Sequence, residues 1–104
     1  MEVLIMNISD YENLFKAEVH IARACKILDD VTKLDIIEEI DRRLLAREHY
    51  KKSLEYMDAF MKSCENDQDI SESDKEAFRI TNNIRNEGIA YNDQVLSSLI
   101  DHTA

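Results

Sequence analysis

Between Asp35 and Cys64 the chain runs without a glycine or a proline. Ile37, Ile40, Leu44, Leu54, Met57, Met61 and Cys64 recur there at steps of three, four or seven, or sums of these. That recurrence places them on one face of a long helix. Arg47 interrupts the middle of the stripe, with Tyr50 close by. The segments on either side read as shorter helices laid against this one.

Ser9 reads as an N-cap, and Glu12 three residues later completes a capping box. A first helix is predicted over about 10–30, with Tyr11, Leu14, the aliphatic part of Glu18, Ile21, Cys25 and Leu28 facing inward. Phe15, Val19 and Ala22 widen that face into a band suited to a bundle. A turn is placed at Asp29–Thr32. Without it, residues 10–64 would form one rod about 80 Å long. The second helix is predicted over about 34–63. The polar run from Asn66 to Asp69 reads as a linker, after which Ser71 or Ser73 can cap a third helix over about 74–100. Ala77, Ile80, Ile84, Tyr91, Val95 and Leu99 supply its expected inner face. Gly88 falls on that face and suggests close helix approach or a kink. The fold expected is all-α: one domain over 1–104, a three-helix antiparallel bundle or an elongated helical hairpin plus a third helix. Val3–Ile8 read as a short N-terminal arm, either extended or a first turn of helix, that packs on the bundle or on a partner.

The formal charge is −9, from 22 acidic and 13 basic residues. A surface of that sign repels nucleic acid and anionic membranes and favours basic protein partners. Neither nucleic acid nor membrane is therefore expected as a partner. The start MEVLIMNIS lacks the basic region of a signal peptide, so a cytoplasmic location is the default. Cys25 and Cys64 are far apart and read as buried free thiols. Arg42, Arg43, Arg47, Lys51 and Lys52 cluster with His49 in the second helix. A solvated face is the simplest reading of that cluster, and a site for an acidic ligand is the alternative.

The single glycine leaves no phosphate loop, and there is no HExxH, EF-hand loop or nucleophile elbow. His20, His49 and His102 lie far apart in sequence, so no cofactor is expected. Asp35 and Glu38 are three apart, as are Glu55 and Asp58. This spacing resembles the ExxE…ExxD pattern of the all-helical MazG-like nucleotide pyrophosphohydrolases, with Asp35 in place of the first glutamate. The resemblance implies a magnesium set of Asp35, Glu38, Glu55 and Asp58, with Arg42, Arg47 or Lys51 on phosphate oxygens.

The leading expectation is a small acidic helical interaction module: a chaperone, adaptor, inhibitor or regulatory subunit acting without catalysis. The three helices span about 30, 45 and 40 Å. The first cannot cover the second, which leaves apolar surface for another protein or for self-association as a homodimer. Helix-in-groove recognition needs only such a strip and a charged rim. The expected contacts are Val3, Leu4, Ile5, Tyr50, Met57, Phe60, Met61, Leu96 and Ile100. The pyrophosphohydrolase is the second reading, and an acidic mimic of nucleic acid the third.

Overall fold

A computed structural model describes residues 7–103. These residues form three α-helices: α1 (Ile8–Ile27), α2 (Ile36–Glu65) and α3 (Glu72–Thr103). A 3₁₀ turn at Val31–Lys33 joins α1 to α2, and there is no strand among the described residues. The contacts run antiparallel. Ala17 meets Ser53 and His20 meets His49 across α1 and α2, while Arg43 meets Asn92 and Phe60 meets Phe78 across α2 and α3. The arm residues Val3, Leu4 and Ile5 lie outside the described residues.

Local chemistry sets the helix ends. Asn7, rather than Ser9, caps α1, its Oδ1 accepting from the Asp10 N–H at 2.8 Å. The break after α1 falls at Asp30, whose φ of 55° is left-handed. An aspartate tolerates that conformation better than most non-glycine residues. Asp35 then caps α2 by accepting from the Glu38 N–H at 3.0 Å. Ser71 receives the Asp74 N–H at 3.1 Å at the start of α3. Each cap satisfies a backbone donor that the helix itself cannot.

α2 is the shared wall. Its buried residues are Glu39, Arg43, Ala46, Tyr50, Ser53, Met57, Phe60 and Cys64, at alternating intervals of four and three. This is the seam geometry of packed antiparallel helices. It differs from the expected stripe in the first half of the helix, where Ile37 and Leu44 are exposed and Glu39 and Arg43 are inside. α1 buries Ala17 and Ala24 against this wall, while Tyr11, Glu18 and Cys25 are exposed. The physical reason is size. Two alanines allow close approach, close enough for the Ser53 hydroxyl to donate to the Ala17 carbonyl at 2.8 Å.

The apolar core has two parts. Ala17, Met57, Phe60, Cys64 and Ile70 form one, with Leu14, Tyr56, Met61 and Phe78 packed around them. Ala24, Ala46 and Tyr50 form the other, with Ile21, Ile27, Leu28 and Ile89. Beyond the second lies a buried polar group. Arg43 Nε donates to Glu39 at 2.8 Å and its Nη1 to Asn92 Oδ1 at 3.0 Å; Asn92 Nδ2 returns a bond to the Arg43 carbonyl at 3.2 Å.

The third helix is turned relative to expectation. Arg85, Asn92 and Leu96 are buried, whereas Ala77, Ile80, Ile84 and Tyr91 are exposed. Gly88 therefore does not mark close approach, because a Cβ there would meet no atom within 4 Å. Gly88→Ala should stabilise the chain by about 0.5–1 kcal/mol, since only the helical propensity changes. Urea denaturation followed by circular dichroism checks this, and a loss of stability would show that Gly88 carries a constraint of its own.

Candidate interaction surface

Ala77, Ile80, Ile84, Gly88, Tyr91 and Val95 follow one another at intervals of three and four. They form a strip along α3 in which Ala77, Ile80, Ile84 and Tyr91 are exposed and Gly88 and Val95 are half-buried. Ile80 is 52% exposed, Ile84 63% and Tyr91 66%. Exposed apolar residues are ordinary when scattered, but an aligned run marks a contact surface. Tyr91 and Val95, with Gln94, Ser98 and Leu99, also line a shallow hollow of about 300 Å³.

The strip faces a second apolar edge. Arg85 of α3 reaches across to Glu18 of α1 and also donates to the Met57 sulfur at 3.3 Å. Burial lowers the Arg85 guanidinium from its ordinary value. Helical spacing puts Tyr11, Phe15 and Ala22 on the same side of α1 as Glu18, and all three are exposed, Phe15 by 69%. The strip on α3 and this edge of α1 thus flank a trough crossed by the Glu18–Arg85 pair. The surface around it is acidic. Helical spacing sets exposed Glu76 and Glu87 about one turn or less from Ile80, Ile84 and Tyr91, and exposed Glu12 three residues before Phe15. Glu12 and Glu87 form no ion pair among the described residues.

The expected contact residues are distributed differently. Tyr50, Met57, Phe60 and Leu96 are buried inside the chain, so they build the core and present no surface in this conformation. Met61 is half-buried beside Cys64 and Phe78. Ile100 is exposed, next to a hollow of about 330 Å³ lined by Leu44, Arg47, Asp93, Leu96 and Ser97.

The carboxylate pairs do not converge. Both lie on α2 or at its cap, with about 30 Å of helix between them. Asp35 is engaged as the N-cap. Among the described residues, no group of three or more His, Cys, Asp or Glu side chains is arranged to hold a metal ion. The cysteines differ too: Cys25 is exposed, contrary to expectation, while Cys64 is buried. Burial, reinforced by Asp10 and Asp67, pushes the Cys64 thiol up to about 11.

A second surface lies between α1 and α2, on the other side of α1 from the trough. His20 and His49 meet there with their Nδ1 atoms 3.0 Å apart. The His20 ring also stacks on Tyr56, with 5.8 Å between centroids and 8° between planes. No spacing rule links residues 20 and 49; only the hairpin brings them together.

Comparison with known protein families, with curated proteins and with solved structures finds no match to this chain. No helix among the described residues is long and apolar enough to cross a membrane.

Proposed function

We propose that the protein is a small acidic interaction module of the adaptor, inhibitor, chaperone or regulatory-subunit kind, which receives a basic amphipathic helix of another protein. The observation that carries this reading is the exposed strip Ile80–Ile84–Tyr91, continued by half-buried Val95, opposite Phe15. A three-helix arrangement with α2 in the middle leaves a fourth helical position beside α1 and α3. An apolar helix seated there buries both edges at once. Charge selects the occupant. Glu12, Glu76 and Glu87 around the trough favour lysine and arginine flanks, whereas a second copy of a chain carrying −9 would bring like charges together. The same reading places the protein in the cytoplasm, where free thiols remain reduced.

The test uses two synthetic helices with the same leucine face, one flanked by lysines and the other by glutamates. The lysine-flanked peptide should bind saturably. Ile84→Asp/Tyr91→Asp should weaken that binding by about tenfold or more while keeping the helical signal, because it places charge in an apolar contact. Equal binding of both peptides, or an unaffected double variant, would sink the reading. Self-association of the intact protein that disappears in the double variant would replace the basic helix with a second copy.

A further inference from the structure

We propose that the groove between α1 and α2 around His20 and His49 is a binding site for a phosphate-bearing small molecule. The first argument is where the unpaired cations are. Of the 13 lysines and arginines, ion pairs among the described residues engage Lys33, Arg43, Arg47, Lys51, Lys75, Arg79 and Arg85. Lys16, Arg23, Lys26, Arg42, Lys52 and Lys62 remain. All but Lys62 lie along this groove. In a chain with 22 acidic residues, carboxylates are plentiful enough to pair with such a cluster, yet among the described residues none lies within ion-pair distance of it.

The second argument is shape. Arg23, Lys26 and Ile27 of α1 and Arg42 and His49 of α2 line an open hollow of about 420 Å³. Two guanidiniums from opposite walls can each present paired N–H donors to a tetrahedral oxyanion. His49, which lines the hollow, meets His20, and His20 stacks on Tyr56, with the Lys16 ammonium 5.4 Å from the Tyr56 ring centroid. Glu38 and Asp41 border Arg42 in a neighbouring hollow with Leu45, without forming an ion pair with it.

The third argument is electrostatic. The His20 imidazole is held below its ordinary value by burial and then by His49, Arg23 and Lys52. These are the groups facing it from its own helix and from α2, and Tyr56 adds no charge when neutral. At 3.0 Å the two imidazoles can share one N–H···N bond, which requires one ring to be neutral on its acceptor side. A bound anion offsets the positive surroundings and favours the imidazolium form. Anion binding should therefore raise the His20 titration and be accompanied by proton uptake.

The experiment titrates the full chain with inorganic tripolyphosphate at a fixed ionic strength of about 0.15 M, where unspecific surface attraction is screened. Imidazole and guanidinium signals are followed by NMR. Saturable shifts at His20, His49, Arg23 and Arg42 are expected, with an upward move of the His20 titration. Arg23→Gln/Arg42→Gln should lower the affinity by about tenfold or more, because charge-assisted hydrogen bonds are lost. Its circular dichroism should stay unchanged, since both residues are exposed. Non-saturating shifts spread equally to Lys62, or full affinity in the double variant, would overturn the site. A glutamate-rich peptide that binds as tightly as tripolyphosphate, with the same dependence on Arg23 and Arg42, would overturn the phosphate assignment.

Discussion

Arg43→Met is expected to destabilise the fold by about 3–5 kcal/mol, the range for removing one partner of a buried ion pair. Arg43 is the hub of the polar group inside the α2–α3 interface. It bonds Glu39 at 2.8 Å and Asn92 at 3.0 Å, and all three residues are buried. Methionine fills much of the same volume but donates nothing. The Glu39 carboxylate and the Asn92 carbonyl would then lose their donor away from water. A small domain has about 5–15 kcal/mol in total, so this one change consumes a large share. The companion is Glu39→Met/Arg43→Met/Asn92→Leu, which removes all three groups. It should recover most of the loss, because apolar residues of similar size avoid the desolvation cost. Urea denaturation of wild type, single and triple variants separates the cases. A triple variant as unstable as Arg43→Met would mean that packing, not satisfaction of the polar group, sets the energy.

Phe60→Ala should cost about 3–5 kcal/mol. Phe60 is fully buried and is the largest side chain in that state among the described residues. It is surrounded by contributions from all three segments: Ala17 of α1, Met57 and Cys64 of α2, and Ile70 leading into α3. Its ring meets Phe78 edge-on, with centroids 4.8 Å apart and planes at 87°. Alanine would leave a cavity at the point where the three helices are tied together. Phe78→Ala should cost less, since Phe78 is only half-buried. The pair should show a coupling of about 0.5–1.5 kcal/mol in a double-mutant cycle. A loss under 1 kcal/mol for Phe60→Ala would show that neighbouring side chains collapse into the space.

Both variants bear on what the sequence could reveal. The three helices are legible from their helical period, the linker near Asn66–Asp69 from its polar run and the Ser71 cap, and the turn after the first helix from the length a continuous rod would have. The α1 cap is Asn7 rather than Ser9. The second half of the α2 seam is legible as well, because Met57 and Cys64 are apolar and obey the helical period. Its first half is not, since the chain buries Glu39 and Arg43 while Ile37 and Leu44 face outward. Hydrophobic periodicity assigns apolar residues to the core. It has no means of recognising a charged side chain whose partner lies 49 residues away. The same blindness turned α3. Asn92 and Arg85 mark its inner face, and the apolar strip beside them is the outer one. The alanines of α1 carry a weaker signal that was available: Ala17 and Ala24 are seven apart, as small contact residues in packed helices often are. The basic groove was half legible, through Arg42, His49 and Lys52. Its other wall needed the hairpin to close.

The buried polar group also governs alignment. Apolar seams repeat every seven residues, so two such helices can slide by one repeat and still match oil to oil. α3 cannot. Moved by one repeat in one direction, Arg85 would stand where Asn92 stands and confront Arg43, two guanidiniums without an acceptor between them. Moved the other way, Leu99 would arrive and leave Arg43 without either of its bonds to Asn92. α1 has no buried charged key of this kind: Ala17 and Ala24 are interchangeable beneath Ser53, and its polar contacts, His20–His49 and Glu18–Arg85, lie nearer the surface. Its position is instead fixed by the wound connector from Leu28 to Asp35, where Val31, Lys33 and Leu34 donate back to Leu28, Asp30 and Val31. One helix is located by its tether and the other by its lock. Loosening the connector should therefore free α1 to shift and leave α3 in place.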